Sequence, residues 1–67
     1  MPFQLTTAAR NAVLDDLRGP PFAAVDVGAA LAARYGEDAR GAGPEVLAWW
    51  LRHRIVTEGA PGAYSVA

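Results

Sequence analysis

The chain contains no cysteine and no lysine, with one histidine and one serine, and each shortage closes off a class of chemistry. Without cysteine there is no disulfide framework, no iron–sulfur cluster and no thiol nucleophile, and one histidine cannot make a structural zinc site. Ser65 stands in no G-x-S-x-G context, so no catalytic residue, metal ligand set or cofactor site can be named, and an enzyme is not expected. Long apolar runs are missing too. Asp, Arg, Gly or Pro interrupts each stretch well short of the ~20 residues a membrane span needs, and no positively charged leader precedes an apolar segment. The expectation is a single soluble, cytoplasmic domain over 1–67 with no membrane partner.

What remains is 67 residues, 52% hydrophobic and 19% charged, with a net charge of -1. A core of this size rarely supplies more than roughly 3–5 kcal/mol, so close packing or a homodimer must make up the difference. Near-neutrality excludes a whole-molecule electrostatic trap for nucleic acid. The charges are nevertheless unevenly spread: Asp15, Asp16, Asp26, Glu37 and Asp38 come early, whereas from Arg40 to Thr57 Glu45 stands against Arg40, Arg52, Arg54 and the titratable His53. A phosphate contact is to be sought in that second half.

Thr6 or Thr7 suits the N-cap of a first helix over about 6–18, with Ala9, Val13, Leu14 and Leu17 at helical spacing and Gly19-Pro20-Pro21 as its stop. Phe22–Val25 reads as a short extended piece. Asp26 then reads as the N-cap of a second helix over about 27–35, striped by Val27, Ala30, Leu31 and Tyr35 and closed by a left-handed Gly36. Glu37–Gly43 reads as a loop. Pro44 opens a third helix over about 44–54, whose buried side comprises Val46, Leu47, Trp50 and Leu51 with Arg54 at its margin. Ala48, Trp49, Arg52 and His53 point the other way. Adjacent helical residues diverge by about 100°, so one tryptophan belongs to the core, Trp50 the better fit, and the other is partly exposed. The period then changes to alternation, and two β-prone runs flanking Gly59–Gly62 predict a hairpin over about 55–66.

This order of elements resembles the winged helix-turn-helix superfamily over nearly the whole chain. Asp26–Gly36 looks like the second helix of that family, Pro44–Arg54 occupies the recognition-helix position, and Ile55–Gly59 with Gly62–Val66 is similar to its wing. The short interval from Leu51 to Ile55-Val56, with Trp50-Leu-Arg-His-Arg54, is closer to the excisionase and MerR-like winged helices. The loop before the third helix is longer than the tight turn of a simple DNA-reading motif. The resemblance implies a mostly helical α+β fold of three helices, a short extended segment before the second, and a C-terminal β-hairpin wing. It further implies binding to double-stranded DNA, as a transcriptional regulator or recombination-directionality factor with the third helix in the major groove.

On that reading Trp49, Arg52, His53 and Arg54 read or anchor DNA, since a guanidinium fork matches the O6/N7 edge of guanine. Arg40 and the amide region of Gly43, in Gly41-Ala-Gly43-Pro44 at a helix start, supply phosphate contacts. Arg10 and Arg18 on the first helix could each reach a DNA backbone, although isolated surface arginine is ordinary, and the wing tip carries no basic residue. The alternative is a winged-helix protein-interaction module, an adaptor or inhibitor that docks through an exposed Trp49 or the acidic Asp15 and Asp16.

Overall fold

In the computed structural model, which describes residues 3–67, helix α1 (Thr7–Asp16) begins where the Thr6 hydroxyl accepts the Ala9 amide at 3.1 Å. Met1 and Pro2, the start of the expected lead-in and of the 1–67 domain, lie outside the described residues. Helix α1 stops earlier than Arg18: the Leu17 amide donates to the Val13 and Leu14 carbonyls, and Gly19 at φ +107° turns the chain away. Ala9, Val13 and Leu14 are its buried residues.

Helix α2 (Ala24–Tyr35) begins two residues before Asp26, which corrects the expected N-cap. Asp26 occupies the third helical position, and its carboxylate reaches back to the Ala23 amide at 2.9 Å. That is half of a capping box, and a carboxylate satisfies first-turn amides from either place. The extended piece is correspondingly reduced to Phe22, whose amide and carbonyl pair with those of Tyr64 at 2.8 and 2.7 Å. Val27, Gly28 and Leu31 face the core, whereas Tyr35, expected in the apolar stripe, is 41% exposed and lies against the Phe3 ring. Gly36 has the expected positive φ, +96°.

Residues Glu37–Ala42 are not an open loop but a 3-10 turn that plugs the buried Ala39 methyl into the core. It delivers the chain to α3 (Gly43–Arg52), which opens one residue before Pro44. At that point α2 and α3 meet backbone to backbone. A Cβ placed on Gly43 would stand 2.8 Å from the Gly28 nitrogen and 2.9 Å from its Cα, so this crossing requires glycine.

The buried face of α3 is narrow: Gly43, Val46, Leu47 and Trp50. Leu51, expected inside, is 38% exposed, and Arg54 is exposed beyond the helix end. The 100° step from Trp50 carries Leu51 out of the contact with α2. Helix α3 closes with the paired hydrogen bonds of a Schellman motif, Ile55 amide to Trp50 carbonyl at 2.9 Å and Arg54 amide to Leu51 carbonyl at 3.2 Å. The left-handed residue of that motif, at φ +58°, is Arg54.

Strands β1 (Val56–Glu58) and β2 (Tyr64–Val66) pair antiparallel, Val56 opposite Val66 and Glu58 opposite Tyr64. Their connection turns at Ala60-Pro61-Gly62-Ala63, closed by the Ala63 amide on the Ala60 carbonyl, with proline second and Gly62 at φ +78° third, as a type II turn requires. The Glu58 carboxylate accepts the Gly62 amide at 2.8 Å and braces the tip. One core unites these elements around Trp50, the largest fully buried side chain, with the Phe22 ring edge-on to it and Val56 beneath β1. Three helices followed by a two-stranded hairpin make a mostly helical α+β domain, a layout consistent with a winged helix. Among the described residues no helix is long and apolar enough to cross a membrane.

Candidate nucleic-acid interface

Helical spacing puts Glu45, Ala48, Trp49 and Arg52 on one side of α3, away from the Val46, Leu47 and Trp50 face. These four residues, with Leu5 and the half-buried Arg10 of α1, line an open groove of about 410 Å³. Trp50 is the tryptophan inside, 1% exposed, and Trp49 the one outside, 37% exposed. The Arg10 guanidinium lies over the Trp49 ring, 4.2 Å from its centroid, and donates to the Thr7 hydroxyl at 3.1 Å. The His53 ring also leans on Trp49, at 4.2 Å between centroids. A cation over an indole face is attracted by the electron-rich ring, so the contact holds Arg10 and Trp49 against each other.

Pairing sorts the six arginines into two sets. Arg18 binds Asp15 at 3.0 Å, Arg34 grips both oxygens of Asp16, and Arg40 grips both oxygens of Glu37 at 2.8 and 2.9 Å. The Arg34 hydrogen bond holds the Asp16 carboxyl below its usual value, and Arg40 does the same for Glu37, each guanidinium being pushed up in return. Among the described residues, Arg10, Arg52 and Arg54 have no carboxylate within 4.0 Å. Arg10 and Arg52 line the groove, and Arg54 follows the last turn of α3.

Two residues expected as phosphate contacts are therefore engaged elsewhere. Arg40 is neutralised by Glu37. Gly43 is buried, and its amide donates to the Arg40 carbonyl, so the start of α3 presents no free amide there. Trp49, Arg52 and His53 are brought together as expected, while Asp15 and Asp16 are each matched by an arginine of the same chain. Arg10 and Glu45, which were not expected at this site, also line the groove. The Glu37-to-Arg40 pair was signalled by its i,i+3 spacing, but the approach of Arg10 to Trp49 depends on how α1 lies beside α3 and has no local sequence signal. Among the described residues no three His, Asp or Glu side chains are grouped to hold a metal ion.

No protein-family model matches the chain, nor does any curated protein or any solved structure.

Proposed function

We propose that the protein is a winged helix-turn-helix DNA-binding protein that lays α3 in the major groove of double-stranded DNA, in a regulatory or recombination-directionality role. The observation that carries this reading is the sorting of the arginines: those remote from the groove are neutralised within the chain, and those beside Trp49 and after α3 are not. A protein of net charge -1 thereby gains one locally cationic face. Arg54 supports it from another direction. A left-handed non-glycine residue costs roughly 1–2 kcal/mol, and such strain is retained where a side chain is needed for a task.

Arg52 is the base-reading guanidinium, Arg10 and Arg54 take backbone phosphates, and Trp49 with His53 packs on the sugar–phosphate edge. The hairpin tip, without basic residues, contributes backbone contacts only. So small a footprint calls for dimers or cooperative binding on DNA, and neither catalysis nor a cofactor is part of the proposal.

Fluorescence-anisotropy titration against random-sequence duplex at 50 and 200 mM salt tests it. The two phosphate-neutralising arginines, Arg10 and Arg54, give a salt slope of about -1.8, or a roughly 12-fold loss of affinity across that range. Simultaneous Arg10→Ala, Arg52→Ala and Arg54→Ala substitution abolishes most of the binding. Salt-independent binding, or a triple variant that binds as well as the parent, refutes the reading. The bare hairpin tip and the exposed Trp49 favour the protein-interaction alternative, which then takes over: it predicts no DNA binding at low salt and loss of a protein partner in Trp49→Ala.

A further inference from the structure

We propose that Glu45 sets the base preference of this face, its carboxylate accepting the N4 amine of a cytosine about three base-pair steps from the guanine held by Arg52. The inference rests on the DNA-binding reading above.

Glu45 is exposed in the first turn of α3 and lines the same groove as Arg10, Trp49 and Arg52. Among the described residues it makes no side-chain hydrogen bond and no ion pair, whereas Asp15, Asp16 and Glu37 are each matched by an arginine; Asp38 is also unpaired but does not line the groove. A face that only gripped phosphates would be weakened by this carboxylate at every sequence. In the major groove a carboxylate is rewarded by an exocyclic amine, and cytosine N4 is the one that comes without an acceptor on the same base edge; adenine places N7 beside N6 and repels the second oxygen. Glu45 thus turns a general attraction for DNA into a selective one.

Helix geometry fixes the spacing. Seven residues separate Glu45 from Arg52, which is two turns on one side of α3 and about 10.5 Å along its axis. At about 3.4 Å per base-pair step, that span covers about three steps. Ala48 lies between them on the groove side and offers only a methyl group, the partner of a thymine methyl.

The experiment is selection from a randomised duplex pool with the parent protein, Glu45→Gln and Glu45→Ala, with anisotropy titration of the enriched sites. The parent enriches a C·G pair three steps from a G·C pair, with about five- to tenfold discrimination at the cytosine. In Glu45→Gln that position changes from cytosine to adenine, whose N6 and N7 match the amide. In Glu45→Ala the preference disappears at that position alone, and affinity for mixed-sequence duplex rises a few-fold. Identical enriched sequences from all three proteins, with salt-dependent binding intact, overturn the role of Glu45 and leave the DNA-binding reading standing. Absence of salt-dependent binding by the parent overturns both. Gln and Ala differ in size and hydrogen bonding but remove the same charge, so a shared change in melting temperature separates the helix-end effect from the change in base preference.

Discussion

Replacing Gly43 with alanine adds one methyl group at the place where α2 and α3 touch through their backbones. In an open helix the change would stabilise, because alanine is favoured over glycine by about 1 kcal/mol. Here the new Cβ would lie 2.8 and 2.9 Å from the nitrogen and Cα of Gly28, backbone atoms that cannot rotate aside. The helices must separate by several tenths of an ångström, loosening Val27 and Val46, both fully buried. Overpacking of this kind costs about 1–3 kcal/mol, from which the helix gain takes back about 1, leaving a net loss of up to about 2 kcal/mol. For a domain of this length that is a fall of up to roughly 15 °C in melting temperature. Gly41 is the internal control: it has no positive φ and nothing within 4 Å of an added Cβ, so Gly41→Ala leaves the melting temperature unchanged or raises it slightly. Thermal unfolding followed by circular dichroism reads both variants. A Gly43→Ala protein that melts above the parent, or a Gly41→Ala protein that loses as much as Gly43→Ala, would refute the close-approach argument.

Arg54→Gly relieves the left-handed strain at the end of α3 and is expected to raise stability by about 1 kcal/mol, or roughly 4–8 °C, while reducing the DNA salt slope by about 0.9; a lower melting temperature would show that no strain is stored there. The Asp16–Arg34 pair joins α1 to α2 across exposed surface, so its contribution is small and weakened by salt. Because pairing lowers the Asp16 pKa from its usual 3.8, the stabilisation is present above that value and is lost as pH falls through the lower, folded-state one. The melting-temperature gap between the parent and Asp16→Asn is therefore open at neutral pH and closes in acid; a gap that widens in acid contradicts the pairing.

Local signals in the sequence located the helices and the hairpin, because Thr6, Gly36, Pro44 and the Gly59–Gly62 stretch act within a few residues of themselves. They placed boundaries less well where two positions satisfy the same amides. Asp26 is the example: N-cap and third helical position both put its carboxylate on the first turn. The 3-10 turn went unread because its single anchor, Ala39, is a methyl group among charged and glycine neighbours. Leu51 and Tyr35 look like core residues by hydropathy, but the faces of α3 and α2 are too narrow to cover them. At the candidate site, Trp49, Arg52 and His53 were legible because α3 and its C-cap residue carry them all. Arg10 and the engagement of Gly43 were not, since both depend on contacts between helices distant in sequence.

Phe22 and Tyr64 are separated by most of the chain, and their two hydrogen bonds close a loop of about 40 residues, an entropic debt that falls due before any return from pairing. Strands of three residues do not persist alone, so the hairpin is expected to dock on the assembled helices as a latch. A latch that fastens last, after the transition state, governs release more than formation: weakening it speeds unfolding and leaves the folding rate nearly unchanged. Its opening uncovers the Phe22 edge of Trp50 and the Val56 wall of the core together. The lifetime of the folded protein is therefore expected to be set at the hairpin, whose strands are only three residues each, and not by fraying of the three helices.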